Sequence, residues 1–299
     1  MTTDEAFRYC IALAKSHYEN FHVATWLLPK KLRLPFYTIY TYCRCSDDIA
    51  DEYNGLAATP QTCAETLQKL DVWQSQLDVS FDFVTELPDD IHPVFIALRK
   101  IAAEYRLPKQ PFVDLLVAFR QDQTTPQYET YHQLLDYCRY SANPVGRMVL
   151  HLVCQPTTGQ CDWSDSICTA LQLANFWQDV LRDKTIGRCY IPQDIAARYG
   201  IDTANLQDIP SFRAMIRELV TDARQRFQTG VPLVNSVPKE IRTDIRLFID
   251  GGLAILNAIE KINYGVLVQR PVLSRWTKLR LFLRAICGRT ILSVPLMAM

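Results

Sequence analysis

Apolar residues recur every three to four positions along most of the chain, the period of amphipathic helices rather than strands. Phe7, Ile11, Ala14 and Tyr18 mark one such face across residues 4–20. Pro29 and Pro35 then read as a loop, followed by a buried helix over 36–53 that stops at Asn54-Gly55. The same period predicts helices over 63–77, 93–105, 111–121, 130–140 and 146–153, with stronger ones over 164–183, 211–228 and 244–267. Breakers separate them at Leu107-Pro108, Thr125-Pro126, Asn143-Pro144, Thr158-Gly159, Thr229-Gly230 and Val237-Pro238. No internal repeat, low-complexity run or long linker interrupts the series. The pattern predicts a single all-α domain over residues 1–299, with about ten helices.

Composition narrows the class. Of 299 residues 48% are hydrophobic, enough for a sizeable core, which excludes wholesale disorder. Lys and Arg (32) balance Asp and Glu (32), which argues against a general polyanion binder, so no nucleic-acid partner is expected. Ten cysteines without a C-x-x-C spacing point to reduced thiols in a cytoplasm rather than to a disulfide framework or zinc cage. The acid-bearing first fifteen residues do not read as a signal peptide, and no run reaches the ~18 apolar residues of a membrane span.

The C-terminal segment departs from the overall charge balance. From Gly265 onward it carries Arg270, Arg275, Lys278, Arg280, Arg284 and Arg289 and no acid, interleaved with Trp276, Leu279, Leu281, Phe282, Leu283 and Ile286. A basic amphipathic helix of this kind can lie on the anionic inner face of a membrane. The plain alternative is a last helix whose apolar stripe closes the core. Both readings stay open at this level.

Two segments carry candidate chemistry. In residues 39–52, Tyr40, Arg44, Asp47 and Asp51 fall within about 60° of one another at 100° per residue. Adjacent carboxylates repel, and Asp is a poor helix former, so the stripe needs a compensating charge. Mg²⁺ supplies one, since it binds a few carboxylate oxygens and keeps waters and substrate phosphates as its other ligands. In residues 172–183, Gln172, Asn175, Asp179 and Asp183 follow i, i+3, i+7, i+11, a second polar stripe set among Leu171, Leu173, Phe176, Trp177, Val180 and Leu181. Either stripe alone could be a solvated face. Two in apolar surroundings, with Arg44 and Arg188 near them, suggest a carboxylate-lined pocket for a metal–diphosphate cluster. Other chemistries lack their signatures: no G-x-G-x-x-G, Walker A, H-E-x-x-H or G-x-S-x-G occurs, and the five histidines form no i,i+4 pair.

Tyr40-x-x-x-Arg44-x-x-Asp47-Asp48-x-x-Asp51-Glu52 and Asn175-x-x-x-Asp179-x-x-x-Asp183 resemble the two Asp-rich motifs of the squalene/phytoene synthase family. Tyr137-Cys138-Arg139-Tyr140-Ser141-Ala142-Asn143-Pro144-Val145-Gly146 and Arg188-Cys189-Tyr190-Ile191-Pro192 match two further segments of that family. The resemblance covers a core of about residues 5–270, leaving a tail over 270–299. It implies an isoprenoid synthase fold with a central cavity between two Asp-rich helices, and chemistry on a prenyl diphosphate lipid. It also implies Mg²⁺, or Mn²⁺, held by Asp47, Asp51, Asp179 and Asp183. Tyr40, Arg44, Gln172, Asn175 and Arg188 would orient the diphosphate. Tyr140 and Phe248 are candidate cavity walls, and Asn143 and Gln178 candidates for holding a water.

Details such as Glu19-Asn20-Phe21, Leu27-Leu28-Pro29, Ala118-Phe119-Arg120-Gln121-Asp122 and Asn175-Phe176-Trp177-Gln178-Asp179-Val180 are similar to the bacterial hydroxysqualene-forming branch. Asn143, Gln178 and Arg182 stand where the wider family usually has Gly, Arg and Glu. The implied reaction is water capture of a cation formed from presqualene diphosphate, with no NADPH. A head-to-head synthase joining two prenyl diphosphates and a non-catalytic assembly protein are the alternatives.

Overall fold

The computed structural model describes residues 1–16, 28–52 and 59–286. Among them run thirteen helices: α1 (Thr3–Ser16), α2 (Lys30–Asp51), α3 (Pro60–Ser80), α4 (Pro93–Tyr105), α5 (Gln110–Asp122), α6 (Tyr131–Ser141), α7 (Asn143–Val153), α8 (Thr158–Thr185), α9 (Gln193–Arg198), α10 (Pro210–Gly230), α11 (Leu233–Ser236), α12 (Lys239–Lys261) and α13 (Arg275–Ile286). The described residues form no strand, only an isolated bridge between Gln127 and Cys189. The all-α class is as the periodicity predicts. Glu19-Asn20-Phe21, Leu27, Asn54-Gly55 and the tail beyond Ile286 lie outside the described residues.

Three boundaries differ from the sequence pattern, each for a local reason. Pro35 lies inside α2 instead of before it. A proline leaves the carbonyl four residues back without its helical partner, and here the Tyr105 hydroxyl donates to that oxygen of Lys31 at 3.2 Å. Thr158-Gly159 starts α8 rather than breaking the chain, because Thr157 and Gln160 form a reciprocal capping box. Finally, α12 ends at Lys261, well short of 267, since Asn263 and Tyr264 turn left-handed (φ 50° and 58°). The residues after them form a strap that leads into α13.

Contacts divide the chain into two compact units, residues 1–125 with 144–156 and residues 126–143 with 157–299. In the first, α2 packs against α1, α3, α4 and α5. Its buried side is anchored by Tyr42, whose hydroxyl donates to the Phe112 carbonyl at 2.9 Å, and by Ser46, which accepts from the Trp73 indole at 2.8 Å. These contacts hold one side of α2 inward and leave Tyr40, Arg44, Asp47 and Asp51 on the side that reaches solvent.

In the second unit α8 is the central helix, packed by α6, α10, α11 and α12. Close approach of α12 requires Gly252: an added Cβ would meet Phe227 at 2.2 Å and Leu171 at 3.0 Å, whereas at Gly251 it would meet nothing within 4 Å. Gly252→Ala should therefore destabilise by roughly 1–3 kcal/mol through overpacking. Gly251→Ala should be neutral or stabilising, through better helix propensity. Thermal unfolding of the two variants checks this, and equal midpoints would contradict the packing described.

Candidate active site

The first stripe rises from α2. Arg44 bridges two acids on its own helix, donating from Nη1 to Asp47 at 3.1 Å and from Nη2 to Asp48. Asp48 thus joins the site as a partner of Arg44. Tyr40, one turn earlier, is half-buried, and burial raises its hydroxyl pKa against the opposing pull of Arg44. Asp51 is exposed at the end of the helix. Along this face one guanidinium lies among carboxylates and is engaged by two of them.

The second stripe runs along α8. Leu173, Ala174, Phe176, Trp177 and Val180 are all buried, yet Gln172 and Asp183 are only half-buried and Asn175 is exposed. This is an accessible oxygen-rich line in a helix otherwise committed to the core. Burial, and then the negative charge of Asp179, push the Asp183 carboxyl up to about 6, with Arg182, Arg188 and Arg270 pulling the other way.

The chain after α8 is turned back toward the stripe. Gly187 takes φ 76°, and the Arg188 backbone N–H donates to the Asp183 carbonyl at 3.0 Å. Tyr190 then stacks on Phe176 with ring centroids 3.9 Å apart, fixing the segment along α8. Between them lies a cavity of about 30 Å³ lined by Phe176, Val180, Asp183, Arg188 and Ile191 among others. It has room for one or two waters.

Sequence reasoning missed the pairing of Arg270 with Asp179. The strap after α12 crosses α8 at Gln178 and Asp179. Gln178 Nε2 donates to the buried Pro271 carbonyl at 2.6 Å, while Arg270 grips both Asp179 oxygens, at 2.5 Å from Nε and 3.2 Å from Nη2. Arg182 adds a longer contact to Asp179, at 4.0 Å. Arg270 lies 91 positions from Asp179, so no local spacing signals the pair.

The remaining candidates are placed as follows. Asn143 is buried and accepts from the Thr169 hydroxyl of α8 at 2.9 Å. Tyr140 is half-buried on α6, with Arg139 over its ring at 5.8 Å, and Phe248 is half-buried on α12. Gln178 uses its amide N–H on the strap, about 120° around α8 from Gln172. Among the described residues no three His, Cys, Asp or Glu side chains gather closely enough to hold a metal unaided. Mg²⁺ does not require that, because one or two carboxylates plus substrate phosphate oxygens suffice. The donor set fits: Asp179 and Asp183 are close enough to repel, and Arg270 supplies their compensating positive charge in this structure.

An all-helical scaffold with paired carboxylates and arginines along open stripes is suited to a polyanion carried with a divalent cation. Residues 14–277 match the squalene/phytoene synthase family, and the chain belongs to that family of prenyl-diphosphate-processing enzymes. It is 32% identical to a hydroxysqualene synthase of Rhodopseudomonas palustris, over 73% of this chain and 71% of that one. Identity to a 15-cis-phytoene synthase of Synechococcus elongatus is 27%, over 92% of this chain and 90% of the relative. The crystal structure of squalene synthase HpnC from Alicyclobacillus acidocaldarius superposes with a TM-score of 0.80 at 35% identity, covering 88% of this chain and 96% of that one. The fold is that of the squalene synthase-like isoprenoid synthases.

Proposed function

We propose that the protein converts presqualene diphosphate and water to hydroxysqualene and diphosphate. The observation that carries the diphosphate chemistry is the Asp179–Asp183 pair on the open side of α8, compensated by Arg270. Support for the hydroxysqualene branch comes from the R. palustris relative and from Asn143, Gln178 and Arg182, where the chain leaves the wider family pattern.

Asp47 and Asp51 on one stripe, and Asp179 and Asp183 on the other, would hold Mg²⁺ or Mn²⁺. Bound there, the cation acts as a Lewis acid on the diphosphate oxygens. Tyr40, Arg44, Gln172, Asn175 and Arg188 would hydrogen-bond those oxygens and hold them in place as the carbon–oxygen bond breaks and its electron pair leaves with diphosphate. Arg270, no longer needed to neutralise Asp179, would be free to donate to the same group. The departing diphosphate leaves a cyclopropylcarbinyl cation, and apolar and aromatic walls exclude bulk water and stabilise its charge. Ring opening and attack by one held water give the alcohol, the water's second proton passing to solvent or diphosphate. Asn143, whose Oδ1 already accepts from Thr169, has its amide N–H groups to offer such a water.

The phytoene synthase relative covers more of the chain than the R. palustris one does, and this favours a second reading, head-to-head condensation of two prenyl diphosphates. Incubation with presqualene diphosphate and Mg²⁺ in ¹⁸O-water, without NADPH, separates the two. The expected product is a C30 alcohol carrying the label. Squalene formed only with NADPH, or turnover of farnesyl diphosphate but not presqualene diphosphate, would move the protein to another branch.

A further inference from the structure

Among the described residues, large exposed apolar side chains occur at scattered positions, but five of them follow one another along the strap and α13. Val268, Val272, Trp276, Leu279 and Leu283 are 68%, 64%, 80%, 47% and 54% exposed, and they recur every three or four residues through the strap and α13. The opposite side of α13 is satisfied: Leu281 is buried at 6% exposure, and the helix packs on α12. Trp276, Leu279 and Leu283 fall within about 60° of one another around the helix, with Arg280 and Arg284 on the adjoining flank.

Charge decides what could cover this ridge. Residues 265–286 contain Arg270, Arg275, Lys278, Arg280 and Arg284 and no acid. A cytosolic apolar partner would have to be acidic as well, whereas an anionic bilayer offers a hydrocarbon boundary and negative headgroups together. Exposed tryptophan beside arginine suits the headgroup level of such a surface. Among the described residues no helix is long and apolar enough to cross a membrane.

We propose that the ridge from Val268 to Leu283 is a membrane-docking surface whose partner is a bilayer containing anionic phospholipid. Docking holds the second carboxylate stripe close to that surface, because Val268 and Val272 flank Arg270 and Pro271, which grip Asp179 and Gln178. The significance for turnover rests on the proposed lipid diphosphate substrate: a docked enzyme draws it from, and returns product to, the same membrane. The docking itself does not rest on that reading.

The test is sedimentation of the full chain, without substrate, with phosphatidylcholine vesicles with and without phosphatidylglycerol. Wild type should bind the anionic vesicles at low salt and bind neutral ones weakly. The triple variant Trp276→Ser, Leu279→Ser, Leu283→Ser should lose anionic binding by about tenfold or more. Arg280→Gln with Arg284→Gln should lose about tenfold on anionic vesicles only. The variants change exposed positions and the half-buried Arg284, none of them in the core, and their thermal unfolding should match wild type. Equal binding by wild type and the triple variant, or no binding by wild type, overturns the proposal. So does a concentration-dependent dimer that the triple variant abolishes while vesicle binding persists, since the ridge would then be covered by a second copy. Vesicle binding without hydroxysqualene formation would reject the proposed reaction and leave the docking intact.

Discussion

Asp179→Asn lowers turnover by ~100-fold or more, the scale expected when a Lewis-acid site is lost, while the fold persists. The substitution keeps the shape and removes the charge. In this structure Asp179 is held only from the side, by Arg270 and more distantly by Arg182, so the core contacts of α8 do not depend on it. Asp51→Asn should act in the same direction, since Asp51 is exposed and its loss disturbs little packing. Circular dichroism and thermal unfolding of the variants test the first half of the expectation, and steady-state turnover the second. Arg270→Gln sharpens the result, because it removes the compensating cation and leaves the carboxylates. Normal turnover by Asp179→Asn, or undiminished wild-type activity in EDTA, would remove both stripes from the chemistry.

Replacing Asp244 by Leu raises stability above neutral pH and flattens its pH dependence. Asp244 sits on α12 at 5% exposure, and neither of its oxygens has a hydrogen-bond partner among the described residues. Burial pushes its carboxyl up to about 7, against a smaller opposing pull from its own backbone N–H. An unfolded Asp titrates near ~3.9. Between those values the native state binds more protons than the unfolded one, so stability falls as pH rises from about 4 to about 7 and levels off above that. At ~1.4 kcal/mol per pKa unit the loss is at most roughly 4 kcal/mol. Leucine has the same branching, with methyl groups in place of the oxygens, and carries no charge to desolvate. Urea unfolding at pH 5 and pH 8 should show the variant's advantage mainly at pH 8. The same advantage at both values would mean that ionisation of Asp244 does not limit stability.

Local pattern alone determined much of this protein. The 3.6-residue period settled the all-α class, because apolar faces at that spacing can be buried only as helices packed on one another. The two carboxylate stripes were legible for the same reason: i, i+3, i+4 and i+7 positions share a face whatever the helix packs against. Family motifs then supplied the prenyl diphosphate, since four of them occur in the right order. Tertiary contacts decided the rest. Pro35 can lie within α2 because Tyr105, far along the chain, satisfies the Lys31 carbonyl, which no local rule anticipates. The 244–267 period continued past Lys261, but Asn263 and Tyr264 turned the chain into a strap. That strap carries Arg270 to Asp179, and only folding creates the pairing because an ion pair requires proximity in space rather than in sequence. The sequence left open which apolar residues of the basic tail face inward, and α13 places Leu281 inward and Trp276, Leu279 and Leu283 outward. A helix's own periodicity cannot say which of its apolar residues the rest of the chain will cover, because burial belongs to the partner as much as to the residue.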